Sequence, residues 1–264
     1  MKPPIELIST DFDGTLFAEF ENPPVPDALQ ALIAELQVQG TKLVINTGRD
    51  LSSLMEAKAR ARLRVKPDYV VVVEREIYRH HDHSYSPVPE WNDACARTHE
   101  VLFARVRRDL PRLVEWVEAR GGEGTEVYED AWSPFCITAA SNPVADTIQT
   151  FVDEYCREVP GLTWVRNDVY ARFAHADYNK GTALGEVARR LGVRREGILA
   201  AGDHFNDLPM LRAEVARWLV APSNAMPAVK EQVRREGGWV SEAHCGHAVL
   251  EGLQAVLTAA RGPA

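Results

Sequence analysis

The sequence predicts an α/β protein: a doubly wound parallel sheet interrupted by a smaller α+β insert. Three observations support that expectation. Apolar, β-prone runs alternate with helical patterns at both ends of the chain. Several of those runs are apolar on both faces, as strands inside a covered parallel sheet are. From about Pro87 to His175 the grammar changes to helix, strand, strand, helix, strand, strand.

Strands are expected at "IELIS" (5–9), "TKLVIN" (41–46), "YVVVV" (69–73), "GILAAG" (197–202) and "RWLVA" (217–221). Between them, Leu29, Leu32, Ile33 and Leu36 precede Gly40, and Leu184, Val187, Ala188 and Leu191 precede Gly192. Both sets follow the i, i+3, i+4, i+7 spacing of one helix face, each with a glycine stop. Within the insert, a single long helix is expected through 90–119, followed by "GTEVYED" and "SPFCITAA" around a short turn. A second helix is expected with Asn142 as its N-cap, Pro143 at its first position, and Val144, Ile148, Phe151, Val152 and Tyr155 on one face. "LTWVR" and "VYARFAH", joined by Asn167-Asp168, read as a hairpin. The division expected is a core of 1–84 with 177–264 and an insert of 85–176, a size at which an independent core forms.

Composition narrows the function. At 264 residues, 45% hydrophobic and 26% charged, the chain is an ordinary globular one. Its 30 Lys and Arg against 38 Asp and Glu give a formal charge of -8, which argues against a broad nucleic-acid or anionic-membrane footprint. No run approaches the roughly 18 apolar residues of a membrane span, and "MKPPIELIST" lacks the apolar stretch of a signal peptide, so a cytoplasmic protein is expected. Cys95, Cys136, Cys156 and Cys245 form no CxxC pair and read as buried, reduced thiols.

Ligands of doubly wound sheets bind outside the carboxyl ends of the strands. Three such ends are polar here: Asp11-Phe12-Asp13-Gly14-Thr15, Asn46-Thr47-Gly48-Arg49 and Asp203-His204-Phe205-Asn206-Asp207. If the chain stays extended through 11–13, alternation sends both carboxylates to one side and Phe12 to the other, and Gly14 allows a turn. With Asp203 and Asp207, up to four carboxylates would share a pocket. Their repulsion calls for a hard cation, and oxygen-only ligation fits Mg²⁺. Lys180 opens a helix, where a cation opposes the positive end of the helix dipole and needs an anionic partner. A solvated lysine is the alternative.

"DFDGTLF", "INTGR", "NKGTAL" and "GDHFNDLPML" resemble, in type and order, the four motifs of the haloacid dehalogenase-like superfamily of phosphohydrolases, and the insert resembles the C2-type cap of its Cof-type and sucrose-phosphatase-like members. The resemblance implies a Rossmann-like core and a Mg²⁺-dependent phosphatase. Asp11 would be the nucleophile that forms an aspartyl-phosphate, and Asp13 the general acid and then base. Thr47, Gly48, Arg49, Lys180 and Asn206 would hold the phosphoryl group. Asp11, Asp203 and Asp207 would serve the metal, with Asp13 contributing its backbone carbonyl. The substrate implied is a small phosphorylated metabolite, a sugar phosphate or phosphorylated polyol by analogy with relatives. A phosphotransferase or phosphomutase of the same fold, or a non-catalytic binding protein, are the alternatives. Nothing in the sequence speaks to oligomeric state.

One departure stands out. Where many cap-bearing relatives read Asn-Gly-Ala after the third strand, this chain reads Glu74-Arg75-Glu76, either a reader of substrate or a charged loop facing solvent. His80–His83 read as a solvated loop, and His244, Cys245 and His247 as the N-terminal region of the last helix rather than a metal site. Trp91, Trp116 and Trp132 read as packing residues of the insert, with sugar stacking by Trp132 as the alternative. "PSNAMPAVKEQV" reads as a structural loop and helix start.

Overall fold

The computed structural model describes residues 3–261. Two compact units divide the chain, one made of residues through Val88 and from Lys180 onward, the other of Pro89–Asn179.

The chain begins with β1 (Leu7–Thr10), α1 (Asp27–Val38), β2 (Lys42–Asn46), α2 (Leu51–Arg60) and β3 (Tyr69–Val72), then doubles back through β4 (Glu76–His81) and β5 (Ser84–Pro87). The insert contributes α3 (Pro89–Val106), α4 (Leu110–Arg120), β6 (Glu126–Tyr128), β7 (Cys136–Thr138), α5 (Asn142–Glu158), β8 (Leu162–Asn167) and β9 (Tyr170–His175). The return runs through α6 (Lys180–Leu191), β10 (Ile198–Ala201), β11 (Trp218–Ala221), α7 (Pro227–Arg235), β12 (Trp239–Val240) and α8 (Cys245–Arg261).

In the first unit eight strands lie in the order β12-β11-β10-β1-β2-β3-β4-β5, parallel from β12 to β3 and antiparallel at β4 and β5. Every residue of β1, β3 and β10 is buried, which is why these runs are apolar on both faces. Leu29, Ile33 and Leu36 of α1 and Leu184, Val187 and Ala188 of α6 supply the covering layers. From β1 the chain winds outward to β2 and β3, and from β10 outward the other way to β11 and β12. The junction of β1 with β10 is therefore the switch point where ligands of such sheets bind.

The sequence gives little sign of β4 and β5, because edge strands need only one apolar face and tolerate charge on the other. His80 and His81 lie in β4, and Asp82 and His83 form its two-residue turn with φ of +44° and +68°, so this stretch is a hairpin rather than a loop. Residues 85–87, assigned to the insert on sequence, pair with β4 instead.

The insert folds as a four-stranded antiparallel sheet, β6-β7-β9-β8, over Leu113, Val117, Phe135, Ile148, Val152 and Phe173. Three local expectations need correction. The long helix is two, α3 and α4, because Pro111 lacks the N–H that would continue the ladder and its ring clashes with the preceding turn. The N-cap of α5 is Ser141. Asn142 instead accepts from Arg166 Nη2 at 2.8 Å and donates to Asp168 at 2.7 Å. The β8–β9 turn is Asp168-Val169, with Asp168 at φ +55°, one residue later than expected. Trp116 stacks on Phe151 at 3.9 Å and Trp91 meets the edge of Tyr178 at 5.1 Å, both packing roles. Cys95, Cys136 and Cys245 are buried and Cys156 partly so; all four are free thiols. Among the described residues no helix is long and apolar enough to cross a membrane.

Candidate active site

Register assembles the site. Thr10 lies beside Ile45 and Ala201, so the residues just beyond β1, β2 and β10 emerge at one level. The Asp11 amide donates to the Ala201 carbonyl at 2.9 Å, extending the ladder by one residue. Phe12 then turns into the core and stacks on Phe17 at 5.1 Å, while Gly14, at φ +76°, bends the chain. A Cβ on Gly14 would stand 2.5 Å from Asp203 Oδ2, so this glycine also admits the acid from the neighbouring loop.

The two acids of the first motif separate. Asp11, 7% exposed, accepts from Lys180 Nζ at 2.6 Å. Asp13 is held by Arg49 in a two-pronged ion pair, Nε to Oδ2 and Nη2 to Oδ1, each 2.7 Å. The pocket of four carboxylates expected on sequence is thus a cluster of three, Asp11, Asp203 and Asp207, with one ligand oxygen of each within 4.8 Å of the others. The Asp13 side chain stays outside it.

Lys180 is fully buried, and its ammonium bridges Asp11 and Asp207, 2.6 Å from each. Asn46 donates to the Lys180 carbonyl at 2.9 Å and ties the start of α6 to the end of β2. The anionic partner that a lysine at a helix N-terminus requires is this pair of acids, which excludes a solvated lysine. Asp207 spends its second oxygen on the amides of Asp203 and His204, at 2.8 and 2.9 Å, and so shapes the loop after β10. Thr15 donates to Asp203 Oδ1 at 2.7 Å, and Asn224 donates to the Gly14 carbonyl at 2.7 Å, holding the bend from behind.

Thr47 is buried, and its Oγ1 accepts from the Arg49 amide at 3.2 Å. The Thr47 carbonyl accepts from the Glu74 amide at 3.0 Å. In a planar trans peptide the Gly48 N–H therefore points away from residue 74. Glu74 and Arg75 are 5% and 4% exposed, which rules out a charged loop facing solvent. The Glu74 carboxylate accepts from Asn206 Nδ2 at 3.3 Å.

Electrostatics in the cluster are lopsided. Burial, countered by Lys180 and reinforced by Asp207 and Asp203, holds the Asp11 carboxyl well above its ordinary pKa. Burial and the neighbouring Asp207 push Asp203 up to about 7. Burial works against the Lys180 ammonium, but Asp11 and Asp207 together outweigh it and keep it a cation. One lysine against three carboxylates leaves excess negative charge on an all-oxygen donor set. In addition, the Oδ1 atoms of Asn46 and Asn206 are buried without a hydrogen-bond partner in the protein. Carboxylate donors around a partly polar, buried point fit a hard divalent cation such as Mg²⁺.

On sequence, Thr15 and Asn46 read only as members of polar strand ends, and Asn224 only as part of a structural loop; none is given a role of its own. All three lie in or beside strand-end motifs, and the available signal was position rather than residue type.

Known proteins resemble this chain along most of its length. The family model for haloacid dehalogenase-like hydrolases matches residues 125–250, and that for sucrose-6F-phosphate phosphohydrolase matches residues 4–129. The chain is similar to YxeH of Bacillus subtilis, 25% identical over 272 residues that cover 93% of this chain and 97% of that protein. It is also similar to the Bacillus subtilis 5-amino-6-(5-phospho-D-ribitylamino)uracil phosphatase YcsE, 26% identical over 233 residues, 86% of this chain and 87% of that one. In fold it matches the sucrose-phosphatase of Synechocystis sp. PCC6803, solved with sucrose and phosphate, with a TM-score of 0.69 at 19% identity, covering 96% of this chain and 98% of that one. With family matches running from residue 4 to residue 250 and likeness to relatives along nearly the whole length, the chain belongs to the haloacid dehalogenase-like hydrolases, as one of that superfamily's phosphatases.

Proposed function

We propose that the protein hydrolyses a small phosphomonoester, a sugar phosphate or phosphorylated polyol, in the cytoplasm through a covalent phosphoryl intermediate on Asp11. The observation that supports this most is the buried ammonium of Lys180, 2.6 Å from both Asp11 and Asp207, at the switch point of the sheet. Such a lysine keeps one oxygen of Asp11 engaged and leaves the other to attack phosphorus, with the phosphoryl oxygens facing a fixed cation.

Thr47 and the Gly48 amide would cradle the transferred group. Arg49 would bind its charge while holding Asp13, which protonates the leaving oxygen and then takes a proton from the attacking water. The phosphoryl group leaves the ester oxygen for Asp11; water then cleaves the Asp11–phosphorus bond, and inorganic phosphate departs. Asp11, Asp203 and the Asp13 carbonyl would hold Mg²⁺, with Asp207 and Asn206 behind them, and the ion would supply charge neutralisation of the phosphoryl oxygens. We assign choice of leaving group to the insert, Pro89–Asn179, in keeping with the cap it resembles.

The test is phosphate release from a panel of sugar and polyol phosphates, measured with Mg²⁺, with chelator and with Asp11→Asn. Release that requires both the metal and Asp11 is the expected outcome. A panel without release, or release that survives Asp11→Asn, would overturn the proposal.

A further inference from the structure

Glu74 is the site residue at which this chain departs from the Asn-Gly-Ala of many relatives, and the structure gives it a specific contact. It follows β3 with φ +63°, directly after Val73 at φ +45°. Two consecutive non-glycine residues in the left-handed region persist only where the surroundings over-determine them. Here three backbone hydrogen bonds do so: Val73 N to Arg49 O at 2.9 Å, Glu74 N to Thr47 O at 3.0 Å and Arg75 N to Val72 O at 3.0 Å. The strained turn is clamped onto the 47–49 loop, and its carboxylate is buried against that loop. Glu74 Oε1 would lie 2.7 Å from a Cβ on residue 48, so glycine there lets the carboxylate pack this closely against the loop.

The same Oε1 accepts from Asn206 Nδ2 at 3.3 Å. An ionised carboxylate can only accept, so it dictates which end of the Asn206 amide faces it. The other end, Oδ1, is then the one presented elsewhere, and it is buried without a partner in the protein. A buried carbonyl oxygen so placed accepts from a donor that does not belong to the chain. Asn206 directly precedes Asp207 of the acid cluster that fits a hard cation, and a water molecule bound to such an ion would be a donor of this kind.

We propose that Glu74 is a positioning residue: it sets the orientation of the Asn206 amide, and so commits Asn206 Oδ1 to hydrogen bonding with the water shell of the site's divalent cation. The assignment rests on the phosphatase reading and goes further by naming what replaces the Asn-Gly-Ala turn in this chain.

The test reads Mg²⁺ binding itself, by titration calorimetry, on wild type, Glu74→Ala and Glu74→Gln, with the melting temperature of each metal-free protein as the folding control. Loss of an outer partner of this kind weakens metal affinity by about 10–100-fold, which is the effect expected for Glu74→Ala. Glu74→Gln keeps an acceptor for Nδ2 but adds a donor that can face Asn206 Oδ1, so its Mg²⁺ affinity should fall between those of wild type and Glu74→Ala. Equal Mg²⁺ affinity in wild type and Glu74→Ala would overturn the proposal, as would a Glu74→Gln variant as weak as Glu74→Ala. If Glu74→Ala does not fold, Asn206→Asp decides: it should weaken Mg²⁺ binding beside Glu74 and recover beside Gln at position 74, and no recovery would overturn the proposal. A wild type that neither binds Mg²⁺ nor releases phosphate would instead bring down the phosphatase reading, and the assignment with it.

Discussion

Replacing Asp11 with Asn should abolish turnover and at the same time stabilise the metal-free protein. Asp11 has an oxygen within 4.8 Å of both Asp203 and Asp207, and each repulsion at an effective dielectric of about 20 is worth about 3.5 kcal/mol. Its attraction to Lys180 across 2.6 Å is worth about 6 kcal/mol on the same scale. The two repulsions and the one attraction nearly cancel, so what the charge of Asp11 chiefly contributes is the cost of keeping a carboxylate out of water, several kcal/mol per buried ion. Asn removes that cost and leaves Lys180 paired with Asp207. A net gain of about 1–2 kcal/mol would raise the melting temperature by about 2–8 °C for a domain of this size. Thermal denaturation with chelator measures it. Mg²⁺ should narrow the gap, because a bound cation cancels the same repulsion in the wild type. A melting temperature that falls on Asp11→Asn in chelator would refute the charge argument, whatever happens to activity.

Other outcomes follow from the same geometry. Lys180→Met leaves two buried carboxylates without their cation and should destabilise the protein by about 3–5 kcal/mol, read by denaturant titration; a loss below about 1 kcal/mol would contradict the burial argument. Gly14→Ala adds a Cβ at φ +76° and 2.5 Å from Asp203 Oδ2, so it should cost about 1–2 kcal/mol of backbone strain and displace the Asp203 carboxylate; unchanged Mg²⁺ affinity would count against the metal-holding role proposed for Asp203. Arg49→Ala frees Asp13 from its two 2.7 Å contacts and should lower kcat/KM by about 100-fold through misplacement of the acid, with little change in melting temperature because the pair is partly exposed.

The sequence alone determined the order of most elements and the strand ends at which the candidate site lies. The parallel strands could be read because burial on both faces leaves a continuous apolar run, and the helices because one buried stripe repeats at i, i+3, i+4 and i+7. Asp11, Thr47, Lys180 and Asp203 could be named because each stands where a strand or helix begins or ends, the places a doubly wound sheet exposes to ligand. Only the tertiary structure decided how those addresses combine. Asp11 and Asp13, two positions apart, went to different partners because Lys180 and Arg49 arrive from different elements. Glu74, in a stretch whose charges look solvated in one dimension, is buried because two backbone hydrogen bonds clamp its turn onto the loop after β2. Partner choice of this kind crosses separations of 36 residues between Arg49 and Asp13 and 169 between Lys180 and Asp11, and is set by sheet register rather than by any local pattern.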